Sequence, residues 1–565
     1  MSDIDDVLVS RADIARLALV QRPAVTNWER RHQDFPGPAV VDRADGSGEI
    51  EVFRAAEILA WLERRTVPAN ARRPEEPAGT TYGDRFRAGL GRARAGALLQ
   101  VVQRLSGPEA ERFRGELSVA DYLTVLLSLV YVRGCLPGEW ERVTAEVNRD
   151  QFTHSGELLV RFLARAVEEG LGPGHGQLLL ALSKRLGDFR VADTVQLLDG
   201  TEPMEWTEYA QAFEWLLARY SELAGRTAGD FFTPRAAADL VSKFVADGAQ
   251  GVRSVHDPFV RAGELLAAAL DGMADERAGA PPPEVSGAGV GEHPLALAGM
   301  NLALHGLPDA ELRPGHTAPS AGPRPGHRVF DRVVTNPPFN SRLPKHPVDP
   351  AHWRYGQPPR HNANFDWLQY IVASLAQGGR AAVLMPDIAA FSSNPSERRI
   401  RSAMVEDGVV EALIALPSQL FTTTSISVTI WLLRSAEPSG DRSDGEVLFV
   451  DARRFGSMVS RTQRALTPEE TQSIFRQYES WQAARAAGRP YPGTPGVSRA
   501  VPVTEIRARD HTLSPSVYLS SDVPTDAGSA DPRDLSVLGE RLAKAHSRAR
   551  AADAAVDELL RRYEP

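Results

Sequence analysis

The stretch Phe330-Asp331-Arg332-Val333-Val334-Thr335-Asn336-Pro337-Pro338-Phe339-Asn340 decides how the rest of the chain is read. Its β-branched first half predicts a buried strand, and the prolines behind it predict a loop. In an open α/β sheet, ligands and reactive groups gather at the carboxyl ends of such strands. Two consecutive prolines fix φ and remove two backbone donors, so this loop is stiff. It can hold the Asn336 amide and the neighbouring carbonyls toward a ligand, with the Phe339 ring beside them. Acceptors next to a stacking ring suit a planar base carrying an exocyclic amine. A Pro-rich surface turn would need the same residues and no ligand.

Asn336-Pro337-Pro338-Phe339 resembles the catalytic motif of amino methyltransferases, which move a methyl group from S-adenosylmethionine to adenine N6. The resemblance implies a catalytic set of Asn336, Pro337, Pro338 and Phe339. In it, the Asn336 side chain and the Pro337 carbonyl accept from the target NH2, and the Phe339 ring stacks on the flipped base. An aromatic amine is a poor nucleophile, and transfer from a sulfonium needs alignment and charge dispersal more than a strong base. The base must also leave the duplex stack to be reached.

Upstream, Gly229-Asp230-Phe231-Phe232-Thr233-Pro234 resembles the motif that opens the methyltransferase domain of type I restriction-modification M subunits. There it packs over the methionine end of the cofactor, and Thr233 is expected to cap a helix over residues 234–245. Residues 254–266 read as strand, tight turn and helix, the first βα unit of a Rossmann-like sheet. Asp257, Pro258, Gly263, Leu265 and Leu266 match the family's pattern for this turn, while Val260, Arg261 and Ala262 replace its Cys, first Gly and Ser. Arg261 adds bulk where the family leaves room, and whether it turns inward or out toward DNA stays open. Ala298-Gly299-Met300-Asn301-Leu302-Ala303-Leu304-His305-Gly306 resembles a further family helix, with Glu292 as the expected ribose ligand. An acid expected before the catalytic strand is not evident, and His316 lies in its place. The resemblance thus implies S-adenosyl-L-methionine held by Phe232, Thr233, Pro234, Asp257, Pro258, Gly263, Leu265 and Glu292.

Downstream, residues 341–364 interleave Lys345, Trp353, Arg354, Tyr355 and Arg360, as a DNA-facing loop needs, with Lys345 and Arg354 the expected contacts. A disordered connection is the alternative. A helix over 365–375 ended by Gly378-Gly379, then strands over 380–386, 409–416 and 426–433, continue the M-subunit order. The resemblance spans residues 230–433. In the tail, Leu535, Leu538, Leu542, Ala545, Ala549, Ala552, Val556, Leu559 and Tyr563 form a heptad seam. In M subunits a C-terminal helix docks on the specificity subunit, so a partner or self-association helix is expected; an intramolecular amphipathic helix is the alternative.

At the other end, residues 10–31 read as two short helices around a turn, with Arg22, Thr26, Asn27, Arg30 and Arg31 exposed for phosphate and base-edge contacts. A two-stranded wing (38–53) and a closing helix (55–65) follow. The region resembles a winged helix-turn-helix of the MerR or excisionase type, which implies double-stranded DNA with the second helix in the major groove. It carries at least as many acids as bases, so a protein-docking module is the alternative. Residues 84–220 are mostly helical in period and carry no catalytic constellation.

A length of 565 residues allows roughly three or four domains. The net charge of −9 argues against a wholly basic nucleic-acid coat, and the single Cys135 excludes an internal disulfide framework or a Cys-rich zinc site. No metal is expected. No apolar run approaches a membrane span and the acidic start is no signal peptide, so the expected compartment is cytoplasmic. The reading is an α/β, Rossmann-like S-adenosylmethionine-dependent methyltransferase core at 226–440. Ahead of it stand a winged helix-turn-helix (1–66), a linker (67–83) and an all-helical domain (84–225). A C-terminal extension (441–530) and a coiled-coil-like helix (531–565) follow it. The expected activity is adenine-N6 DNA methylation in restriction-modification or phage defence. Alternatives are a catalytically weak or inactive DNA-binding protein of the same fold, and an RNA or protein-glutamine methyltransferase.

Overall fold

Phe330–Thr335 is a strand buried along almost its whole length, as its β-branched pattern predicts. Its one buried charge, Arg332, is satisfied: Nε donates to the Val245 carbonyl at 2.8 Å, Nη2 to the Asp247 and Gly248 carbonyls, and Nη1 to the Asp331 carbonyl. The computed structural model describes residues 8–18, 20, 22–42, 49–68, 71–72, 79–107, 118–148, 156–172, 174–183, 191–199, 201, 206–224, 232–274, 276–277, 279–322, 329–421, 426–436, 445–459 and 463–519. The expected heptad helix lies outside the described residues.

The central sheet comprises β1 (Ser254–Asp257), β2 (Glu284–Gly289), β3 (Glu311–Pro314), β4 (Phe330–Thr335), β5 (Leu375–Pro386), β6 (Val410–Ala415), β7 (Val428–Arg434), β8 (Glu446–Asp451) and β9 (Ser498–Pro502). In space they run β9-β8-β6-β7-β5-β4-β1-β2-β3. The strands from β5 to β3 are all parallel, β7 is antiparallel to both its neighbours, and β9 is antiparallel to β8. From β1 the chain moves outward through β2 and β3, then returns to lay β4 on the other side of β1. The strand order therefore reverses between β1 and β4, which opens a crevice at their carboxyl ends. Asp257 ends β1, and Asn336 follows β4 directly.

One face of the sheet packs against α1 (Arg235–Ala246), α2 (Glu264–Met273) and α6 (Pro468–Ala486); the other packs against α4 (Asn364–Ser374) and α5 (Pro395–Glu406). Helix α3 (Glu292–Leu304) serves two layers. Leu295, Ala298 and Leu302 join the sheet core, while Leu297, Met300 and Leu304 join the core of the preceding helices, each set spaced to line one stripe. Those preceding helices run from Tyr82–Leu105 to Trp206–Ala224. Cys135 is half-buried among them, and burial pushes its thiol up to about 12. No helix of the described residues is long and apolar enough to cross a membrane.

At the N-terminus, helices Arg11–Leu17 and Arg22–Arg31 are followed by strands Ala39–Asp42 and Glu49–Arg54 and helix Ala55–Glu63. The sheet there has a third strand, Leu8–Val9, paired with Glu49–Arg54. Val25 is buried and Trp28 leans on Trp61 and Tyr82 at 5.7 and 5.2 Å, while Thr26, Asn27, Arg30 and Arg31 are exposed.

Two local expectations are corrected. Strand β5 begins at Leu375, before Gly378-Gly379, so the glycines lie inside a strand instead of ending a helix. The β4–β5 register shifts there, Gly378 has φ +75°, and a Cβ on Gly379 would lie 2.8 Å from the Phe330 carbonyl. The glycines thus make a bulge. Helix α1 begins at Arg235 behind Pro234 with no side-chain cap, because the Thr233 hydroxyl is engaged elsewhere.

Candidate active site

The crevice between β1 and β4 gathers three segments: Phe232-Thr233-Pro234, the turn 258–263, and Asn336 with its prolines. Asn336 is buried, and its Nδ2 donates to Thr233 Oγ1 at 3.1 Å. That bond fixes the sense of the amide and turns Oδ1, the acceptor, toward the other side. Pro337 is buried, Pro338 and Phe339 are half-buried, and Phe339 rests against the sheet core. Asn340 then takes a left-handed φ of +54°, which Asn tolerates. Asn340 and Asn364 pair reciprocally: the Asn340 N–H donates to Asn364 Oδ1 at 2.9 Å, and Asn364 Nδ2 donates to Asn340 Oδ1 at 3.0 Å. The stiff loop is thereby tied at both ends.

The turn after β1 is built as tightly. Asp257 accepts from the Phe259 N–H at 2.9 Å, and burial pushes its carboxyl up to about 7. Gly263 has φ +75°, and a Cβ there would meet Ala298 and Leu302 of α3 at 3.3 Å. A side chain there would press on α3, and the left-handed φ itself favours glycine. Asn301, fully buried, donates from Nδ2 to the Ala262 carbonyl at 2.9 Å. Arg261 turns inward: it is buried, lies over the Phe259 ring at 4.9 Å, and its Nε donates to the Asn336 carbonyl at 3.4 Å. The carboxylate of Glu264 bridges two segments, accepting from the Thr233 N–H at 2.8 Å and the Ala262 N–H at 3.0 Å.

The remaining expected residues spread more widely. Phe232 packs edge-on to Tyr220 at 5.8 Å, and the Tyr220 hydroxyl meets His293 Nε2 at 3.1 Å. Burial lowers His293 to about 4, so it is neutral at pH 7. Leu265 is buried in the sheet core, a packing position. Glu292 is exposed at the first turn of α3. Pro258 borders a groove of about 250 Å³ on the α4 face of the sheet, with His256, Ser286, Arg313, His316 and Trp367. Among the described residues no group of side chains could hold a metal ion.

The loop 341–364 is folded, which corrects the expectation of interleaved DNA-facing aromatics. Trp353 is buried and donates to Asp366 Oδ1 at 2.6 Å, within a small core with Phe259, Leu343 and Trp367. Arg354 is paired with Asp407 at 3.1 Å, which also accepts from the Tyr355 hydroxyl at 2.6 Å. Lys345 is exposed. In the N-terminal helix Thr26, Asn27, Arg30 and Arg31 share exposure, and the side chain of Arg22 lies outside those described.

The sequence alone did not single out Glu264 or the bonds made by Asn301 and Asn364. An acid immediately after the glycine of a tight turn was the one signal for Glu264.

A family model described as N-6 DNA Methylase matches residues 208–526. The chain is 28% identical over 318 residues to the type I restriction enzyme HindI methylase subunit of Haemophilus influenzae, covering 56% of this chain and 69% of that protein. It is 26% identical over 485 residues to the type I restriction enzyme MjaIX methylase subunit of Methanocaldococcus jannaschii, covering 74% and 83%. Among solved structures, the methyltransferase subunit of the type I restriction-modification system from Streptococcus thermophilus shares the fold, with a TM-score of 0.60 at 20% identity over 75% of this chain and 99% of that one.

Proposed function

This chain belongs to the N-6 DNA methylase family, and on that premise we propose that it methylates adenine N6 in double-stranded DNA as the modification subunit of a restriction-modification system. The observation that carries the reading is the Asn336–Thr233 bond, which commits Nδ2 and leaves Oδ1 as an acceptor where the strand order reverses. Asn336 Oδ1 and the Pro337 carbonyl accept the two hydrogens of the target amine, which lets nitrogen density develop toward an electrophile. Phe339 stacks on the flipped base, and Pro338 keeps the loop from yielding.

S-adenosylmethionine, when bound, supplies the electrophilic methyl group. The residues at hand fit such a group: Gly263 lets the turn take left-handed backbone close against α3, and Thr233, the turn and Asn336 converge on one crevice. In this reading Phe232, Thr233, Pro234, Asp257, Pro258 and Gly263 line the cofactor site, and Glu292 at the start of α3 is offered to the ribose. Leu265 acts from the core by holding the turn in place.

The N-terminal helices and strands form the winged helix-turn-helix of this proposal, with Arg22, Thr26, Asn27, Arg30 and Arg31 on the DNA. Lys345 adds a phosphate contact, and Arg354 serves only if it leaves Asp407. A specificity subunit is the expected partner.

The test is methyl transfer from labelled S-adenosylmethionine to DNA, read as N6-methyladenine in hydrolysed DNA, with and without the cognate specificity subunit. Transfer abolished by Asn336→Ala supports the reading. Absence of N6-methyladenine in both settings, from folded protein, overturns it.

A further inference from the structure

The turn after β1 carries two charged side chains, Arg261 and Glu264, beside the buried Asp257 that ends the strand. Glu264 is the first residue of α2, yet its carboxylate folds back over the turn. One oxygen takes the Thr233 N–H and the other takes the Ala262 N–H, at 2.8 and 3.0 Å. Arg261, three residues earlier, donates from its guanidinium to the Asn336 carbonyl at 3.4 Å. Arg261 also acts electrostatically on both Asp257 and Glu264. Two converging backbone N–H groups therefore hold a carboxylate, and a backbone carbonyl holds a cation.

A free α-amino acid end offers the same two charges, a carboxylate to accept from N–H groups and an ammonium to donate to a carbonyl. We infer that Glu264 and Arg261 set the crevice's affinity for the amino-acid end of its cofactor, because they hold the backbone donors and the acceptor which that end would otherwise take. The inference rests on the reading that this crevice takes S-adenosylmethionine.

To bind, the amino-acid end must displace a built-in carboxylate and a built-in guanidinium from contacts they already make. A tethered competitor acts at high effective concentration, so the exchange returns little net free energy. Glu292, the residue offered to the ribose at the nucleoside end, is exposed. In this chain the nucleoside therefore supplies most of the affinity, and the amino-acid end supplies little.

Two thioethers separate the contributions. S-adenosylhomocysteine keeps the amino-acid end, and 5′-methylthioadenosine has the same nucleoside without it. Calorimetric titration of the full chain is expected to give dissociation constants within about threefold of each other. In the Arg261→Gly/Glu264→Gly variant, S-adenosylhomocysteine is expected to bind at least about tenfold tighter than to wild type, with 5′-methylthioadenosine changed by less than about threefold. A merely structural role for the pair would alter both compounds alike.

Wild-type protein that prefers S-adenosylhomocysteine by about tenfold or more would overturn the inference and leave the cofactor reading standing. So would a variant that gains affinity for neither compound or for both equally. If neither compound binds wild type or variant, both with native circular dichroism, the cofactor reading itself fails and takes the inference with it. Should the variant not fold, the wild-type ratio decides alone.

Discussion

Asn336 Nδ2 donates to the Thr233 hydroxyl across 3.1 Å, joining two segments that lie 103 positions apart in the chain. The donor half of the amide is thus spent inside the protein. A reversed amide would point an NH2 group at an incoming amine and repel it. In the proposed reaction the bond orients the amide, and Thr233 is its anchor.

Replacing Thr233 by Val keeps the shape and removes the acceptor. A net hydrogen bond of about 1 kcal/mol corresponds to a loss of roughly fivefold to tenfold in kcat for methyl transfer. Thr233→Ser restores the acceptor and is expected to restore the rate. Steady-state kinetics on folded variants would check this, and equal rates for the Val and Ser variants would contradict it.

Asn336→Ala removes the acceptor itself. Loss of one preorganised electrostatic group costs roughly 10²–10³ in kcat. DNA affinity by gel shift is expected to hold within about threefold, because the helices proposed to contact DNA lie elsewhere. A variant that loses DNA binding along with transfer would assign Asn336 a structural role.

Gly263→Ala forces a side chain into left-handed backbone, with its Cβ 3.3 Å from Ala298 and Leu302. The backbone term alone costs about 1–2 kcal/mol. Denaturant titration should give a lower midpoint with an unchanged slope.

His305 sits between Asp271, 3.2 Å from Nδ1, and Glu214, 3.4 Å from Nε2, and so links α2 to the preceding helices. Burial opposes its charged form, but the two carboxylates outweigh burial and raise its pKa to about 9. A raised folded-state pKa contributes stability that is complete below about 6.5 and is lost as pH climbs through about 9. Wild-type melting temperature should therefore fall across that window by roughly 2–4 °C more than that of His305→Gln. Parallel pH profiles for the two proteins would refute the assignment.

What could be read in advance was local. The strand Phe330–Thr335, the stiff Asn336–Phe339 loop and the glycine at 263 each carry their reason in adjacent residues. The direction of Arg261 and the reach of Glu264 depend on where Asn336 and Thr233 arrive in space, which no spacing of residues states. Trp353 misled for the same reason: an aromatic among basic residues suits a DNA surface until Asp366 and Trp367 are brought beneath it. In sequence Gly378-Gly379 reads as helix punctuation, whereas the close approach of the Phe330 carbonyl makes it a bulge.

The turn after β1 belongs to two cores at once. Val260 is packed among the residues of the sheet core, and Ala262, two positions on, is packed among those of the preceding helices. The turn works as an axle pinned in two separate bearings. Together with α3, which is seated in both layers as well, this double seating means that sliding one layer past the other would strain residues 260–262.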